Sequence, residues 1–216
     1  MPSNAEAAAL KLFAAFQADL LARADETAAV LDERDAILLA WSHPHRAAQP
    51  GAPQREPVCR HLDAVIAATL AGPARPIAEA ARPLLASLRW HYGYPYDPRW
   101  PDLGERVGFA QVIGDSGLLD HALLHVGLTL LAPHTHYPLH AHPAIELYFV
   151  LSGTAEWQIG RDDFVARPAG SLILHPSNVG HAMRTGAEPL LALYVWRGDI
   201  DSPSVFSDVP AAWFPR

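Results

Sequence analysis

The chain has one cysteine, Cys59, so no disulfide can close within it. It has no run of like charges long enough to form a basic arm or an acidic tail. Its 16 Lys and Arg against 23 Asp and Glu leave a net charge of −7. With no basic stripe, nucleic acid and anionic membrane are excluded as main partners. An apolar leader is missing too: Glu6, Lys11 and Asp19 interrupt the N-terminal stretch that a secretory segment would need unbroken. These absences predict a cytoplasmic protein with a small-molecule partner. Internal repeats and low-complexity tracts are also lacking. Histidine is abundant: 12 in 216 residues, with His121, His125, His134, His136, His140 and His142 inside one short stretch.

The chain divides by pattern. Residues 4–22 carry Leu10, Phe13, Ala14, Phe16, Leu20 and Leu21 at spacings near three and four, which predicts an amphipathic helix. Further helices are expected over 24–41, 58–71 and 77–90, the last interrupted at Pro83. The proline-rich stretch from His43 to Pro57 reads as a surface connection. Between Trp90 and Gly104, prolines and glycines alternate with Tyr92, Tyr94, Tyr96 and Trp100, a turn-rich aromatic linker. Short strands follow, expected over 106–112, 121–131, 145–151, 155–159, 171–174, 180–184 and 190–196. The expected fold is mainly β with an α-helical N-terminal extension: a helical region with linker over 1–104, then a barrel or jelly roll over 105–216.

The stretch from His136 to Tyr148 carries the chemistry. Side chains alternate across a strand, so the even-numbered His140, His142, Glu146 and Tyr148 should face one interior. Two imidazoles and a carboxylate converging there form a set that binds a divalent first-row metal and leaves positions open. A further ligand should come from a neighbouring strand, and His181 is the best placed. Parity relative to His181 puts His175 outside the site, and His121, His125 and His134 read as structural or exposed.

His140-x-His142, three residues, Glu146, six residues, Gly153 resembles the first cupin motif. Gly170, five residues, Pro176-x-Asn178-x-x-His181 is similar to the second. The departures are His134 and Asn178 at positions where the family has Gly, and Thr185 in place of a later Asn. The resemblance implies a cupin barrel, a double-stranded β-helix. More narrowly, YPLHAHPAIELYFVLSG, HPSNVGHAM and PLLALYVWRGDI resemble the cupin-type dimethylsulfoniopropionate (DMSP) lyases. That resemblance implies metal ligands at His140, His142, Glu146 and His181, active-site tyrosines at Tyr137 and Tyr148, and a pocket-lining aromatic at Trp196.

The implied reaction is β-elimination of a zwitterion to acrylate and dimethyl sulfide. A metal would stabilise the charge developing at the carboxylate as the α-proton leaves. Tyr148 would be the base, made more acidic by the neighbouring dication, and Tyr137 would position substrate or act as an alternative base. Trp196 and Tyr194 would face the sulfonium, with His136 a further substrate contact. Zn, Fe, Mn, Co or Ni all suit the ligands. The competing readings are lyase-like chemistry on another small carboxylate, an Fe(II) dioxygenase and a non-catalytic small-molecule-binding cupin. Pairing of barrel edges would give a homodimer.

Overall fold

The structure, a computed structural model, describes residues 4–48 and 50–207. Helix α1 (Asn4–Ala22) has the bounds its apolar spacing predicts. Helix α2 (Ala28–Trp41) starts later than expected, because the Thr27 hydroxyl accepts from Val30 N–H and caps it. Strand β1 (His45–Ala47) lies inside the stretch read as a surface connection. A 3-10 turn over Pro57–His61 leads into α3 (Leu62–Ala71). Helix α4 (Arg75–Ala81) gives way to a 3-10 turn at Arg82–Leu84. Pro83 has no N–H to continue the helix, so the run expected to reach Trp90 ends early. Trp90 instead begins β2 (Trp90–His91).

After the short helix α5 (Leu103–Arg106) come β3 (Val107–Ile113), β4 (Leu119–His121), β5 (Leu124–Leu131), β6 (His136–Ala141), β7 (Ile145–Ser152), β8 (Ala155–Ile159) and β9 (Val165–Arg167). The chain continues with β10 (Leu172–His175), β11 (His181–Thr185), β12 (Leu190–Arg197) and β13 (Val205–Phe206). Among the described residues these form two sheets. The larger runs β1-β4-β3-β5-β12-β7-β10, with β2 on β3, and the smaller runs β13-β6-β11-β8-β9. Strands β1 and β2 therefore carry the helical segment into the barrel's own sheet.

The large sheet is buried on both faces. Leu147, Phe149 and Leu151 of β7, with Leu191, Leu193 and Val195 of β12, share one core with Phe13, Phe16 and Leu20 of α1. The alternate residues Tyr148, Val150 and Ala192 look the other way, into a second core with Trp157 and Met183 of the small sheet. Two polar ties fix the helices to this layer. Arg197 makes two bonds to the buried Glu33, at 2.8 and 2.7 Å. Arg23 donates to Gly170 O and lies over the Phe149 ring.

The turns explain the departures from the motif. His134 and Asn178 are the non-glycine residues with positive φ among those described, at 52° and 59°. Both stand where the resembled motif has Gly. Thr185 accepts from Thr135 N–H and donates to Ala132 O, holding the chain around His134. Asn178 N–H donates to His142 O and the Ser177 hydroxyl to Pro143 O, so the second motif's turn secures the first.

His134→Gly relieves left-handed strain of about 1 kcal/mol and gives back roughly half of it in chain entropy. The melting midpoint should rise by about 1–2 °C. Asn178→Gly should change it less, since Asn tolerates this region. A fall in the midpoint of His134→Gly would contradict the strain argument.

Candidate active site

Two features of register assemble the site. In the β6–β11 pair, His181 lies opposite His140 but Met183 lies opposite Tyr137, so β6 has one extra residue there. This is a bulge. Pro138 and Leu139 face outward with His136, while Tyr137 and His140 both turn inward despite opposite parity. The second feature is a transverse row in the large sheet. Glu146 of β7 is directly opposite His175 of β10 on one side and Trp196 of β12 on the other.

The donor atoms of His142, Glu146 and His181 lie within 4.8 Å of one another, and all three residues are buried. His140 stands beside them, its ring 4.1 Å from that of His181, but falls outside the convergent set. It is stacked on Tyr137 at 3.9 Å. His140, His142 and His181 share one arrangement: each Nδ1 lies 2.8–3.0 Å from a backbone carbonyl, of Pro138, Ala144 and Val179 respectively. A carbonyl only accepts, so each Nδ1 holds the hydrogen and the neutral ring's Nε2 holds a lone pair.

For His142 and His181 that nitrogen points at Glu146 Oε2, at 3.1 and 3.3 Å. His181 Nε2 is buried without a hydrogen-bond partner. Lone pairs converging on a carboxylate need a cation between them. Backbone-oriented imidazoles beside one carboxylate are the arrangement that holds a divalent metal, so the residues fit such an ion.

His175 corrects the sequence reading. It is fully buried, 3.0 Å from Glu146 Oε2 through Nδ1, and stacked on His181 at 3.8 Å. Trp196 donates its indole N–H to Glu146 Oε1 at 2.7 Å and packs its ring on His142. Burial opposes ionisation of Glu146, but His142, His175 and His181 around it more than offset this and hold its carboxyl well below the usual range. Burial takes His175 down to about 3, and burial likewise takes His140 well below 6.5.

The sign for stability follows. Above pH 6.5 both imidazoles are neutral folded or unfolded, while below it only the unfolded chain takes the protons. Metal-free protein should therefore lose stability as pH falls from 6.5 towards 3, by about 2–3 kcal/mol between pH 7.5 and 5.5 from these two groups. Urea titrations at the two pH values check this, and equal midpoints would refute it.

The cavity in front of the site has a volume of about 260 Å³. Tyr137, Tyr148, Tyr194 and Trp196 line it, joined by Tyr94 and Phe109. The Tyr148 hydroxyl is 3.2 Å from Thr129 Oγ1. The Tyr137 hydroxyl bonds that of Tyr94, which donates to Ser204 Oγ at 2.7 Å. Burial pushes both Tyr137 and Tyr148 well above the ordinary phenol value, helped at Tyr148 by the Glu146 charge. His125, read as structural or exposed, lines the cavity, as does Asp115, 3.9 Å from it. His121 is buried, stacked on Trp41. His136 is not brought to the site. It is exposed on the outer face of the small sheet against Trp100 and Phe164.

Facing, mainly antiparallel sheets, with two interlocked histidine motifs beside an aromatic cavity, define a cupin with a metal-type donor cluster. The chain belongs to the dimethylsulfoniopropionate lyase family, whose model matches residues 32–192. It is 31% identical to the dimethylsulfoniopropionate lyase DddQ of Ruegeria pomeroyi over 122 residues, which are 56% of this chain. The match spans 61% of that relative's length. The crystal structure of DddQ from Ruegeria pomeroyi superposes with a TM-score of 0.67 at 27% identity, covering 94% of this chain and 97% of that one. A further match, from a study of crystal structures of the DMSP lyases RdDddP and RnDddQII, has a TM-score of 0.72 at 24% identity. It covers 95% of this chain and 100% of the other, and supports the fold. Among the described residues no helix is long and apolar enough to cross a membrane.

Proposed function

We propose that this chain cleaves dimethylsulfoniopropionate to acrylate and dimethyl sulfide, with Tyr148 as the base. The observation that carries the reading is the position of Tyr148. It stands two residues beyond Glu146 on the same inward face of β7, so Tyr148, His142 and Glu146 line one cavity, with His181 grouped beside the last two. A divalent metal held by His142, Glu146 and His181, with His140 beside them, would supply Lewis-acid stabilisation of the substrate carboxylate as charge develops.

Tyr148 oxygen takes the α-proton. The electrons of that C–H bond form the new C=C bond, and the β-carbon–sulfur bond breaks with its pair going to sulfur. Acrylate and neutral dimethyl sulfide leave, and the proton passes from Tyr148 to solvent. The low polarity that raises the Tyr148 pKa also disfavours its phenolate, so a neighbouring cation is needed to bring the base into range.

The sulfonium end needs surfaces that accept a cation without donating to it. The faces of Tyr194, Tyr94 and Phe109 offer about 0.5–2 kcal/mol each. Trp196 supports this wall while its N–H is committed to Glu146. Asp115 adds a negative charge at the mouth.

The test is to strip purified protein, reload separate samples with Zn, Fe, Mn, Co or Ni, add dimethylsulfoniopropionate and measure headspace dimethyl sulfide, with Glu146→Ala as control. Release that depends on metal and vanishes in the control is expected. No release from a metal-loaded sample would reject this substrate.

A further inference from the structure

We infer that His175 and Trp196 act together as positioning residues, gripping the Glu146 carboxylate from opposite sides so that one oxygen alone is presented to the metal. The inference rests on reading His142, Glu146 and His181 as the metal set, and it concerns binding rather than turnover. Its basis is the sheet itself. Strand β7 lies between β10 and β12, and both register pairs place a donor directly opposite Glu146. Trp196 Nε1–H holds Oε1 at 2.7 Å. His175 Nδ1–H holds Oε2 at 3.0 Å, on the oxygen that faces His142 and His181.

With one lone pair of Oε1 taken by the indole and Oε2 facing His142 and His181, the carboxylate is held so that Oε2 is the oxygen nearest an ion there, which favours single-oxygen ligation. Single-oxygen ligation leaves a coordination position for substrate. The Nε2 of His175 is buried with no hydrogen-bond partner, so the hydrogen bond this ring makes inside the site is the one to Glu146. Its ring also backs His181 at 3.8 Å and so limits that ligand's rotation. Partners of this kind, which orient metal ligands without touching the metal, typically contribute ten- to hundredfold in affinity.

The experiment uses Co(II) as the probe, with affinity read by competition against a chelating dye and geometry by the visible absorption bands. His175→Leu should weaken Co(II) about ten- to hundredfold and shift the bands. His175→Gln, which keeps an amide N–H at similar reach, should recover most of both. Trp196→Phe frees Oε1 and should shift the bands even where affinity changes little.

A folded His175→Leu with wild-type affinity and bands would overturn the inference, as would Leu and Gln variants that are equally impaired. If His175→Leu does not fold, unchanged bands in Trp196→Phe overturn it. A wild-type chain that takes up no Co(II) removes the metal set and this inference together. Absent dimethyl sulfide release with these binding results intact removes only the proposed reaction.

Discussion

Tyr148→Phe is expected to reduce dimethylsulfoniopropionate cleavage by about 10²–10⁴-fold, the range for loss of a positioned general base, with bound metal unchanged. The substitution removes one oxygen and keeps the ring that packs on Trp157 and Tyr194. Its hydrogen bond to Thr129 is lost with little structural cost because Thr129 remains in the barrel wall. Metal content and melting temperature therefore serve as internal controls. Tyr137→Phe should give a smaller loss in kcat and a larger change in KM. Its hydroxyl is engaged by Tyr94 and Ser204, in a chain that fixes the cavity wall. Full turnover by metal-loaded Tyr148→Phe would end the base assignment, and a greater loss in Tyr137→Phe would transfer it there.

The second large effect concerns stability. Phe16 of α1 is fully buried and packs on Phe149 of β7, ring centroids 6.0 Å apart, one strand face away from Glu146 and Tyr148. Phe16→Ala should cost about 3–5 kcal/mol through lost burial and the cavity left behind. That lowers the melting midpoint by roughly 6–20 °C in a chain of this size. Because α1 and the barrel share one hydrophobic cluster, the loss should appear as a single shifted transition in calorimetry. Two transitions, with the barrel's unmoved, would mean that the helices and barrel fold independently.

The grouping of His142 with Glu146 was legible because their spacing is local and a strand's alternation is simple. The turn with His134 and Asn178 also left a trace, since the motif's glycines mark the left-handed positions that those residues occupy. Alternation failed where it was carried too far. His175 and His181 stand on strands of different sheets joined by a turn, so their relative parity decides nothing. What places His175 is its pairing with Glu146 on β7, a contact between distant positions. Tyr94, which braces Tyr137, reaches the cavity from the linker by the same kind of long-range approach. Strand β1 has three residues among prolines, too few to show a period, and its place at the sheet edge comes from pairing with β4. His136 was misjudged because the bulge reverses which neighbours share a face.

That bulge also governs how the gene can change. A substitution at Pro138 or Leu139 alters an outward-facing side chain, but loss of a single codon there would restore strict alternation along β6. Tyr137 and His140 would then stand two apart and still share the inward face. What the shorter strand loses is the Pro138 carbonyl two residues before His140, which orients that ring. In a deletion library, in-frame loss at 138 or 139 should be depleted no more strongly than Tyr137→Ala or His140→Ala, and stronger depletion would mean that the bulge is needed for more than the facing of these two side chains.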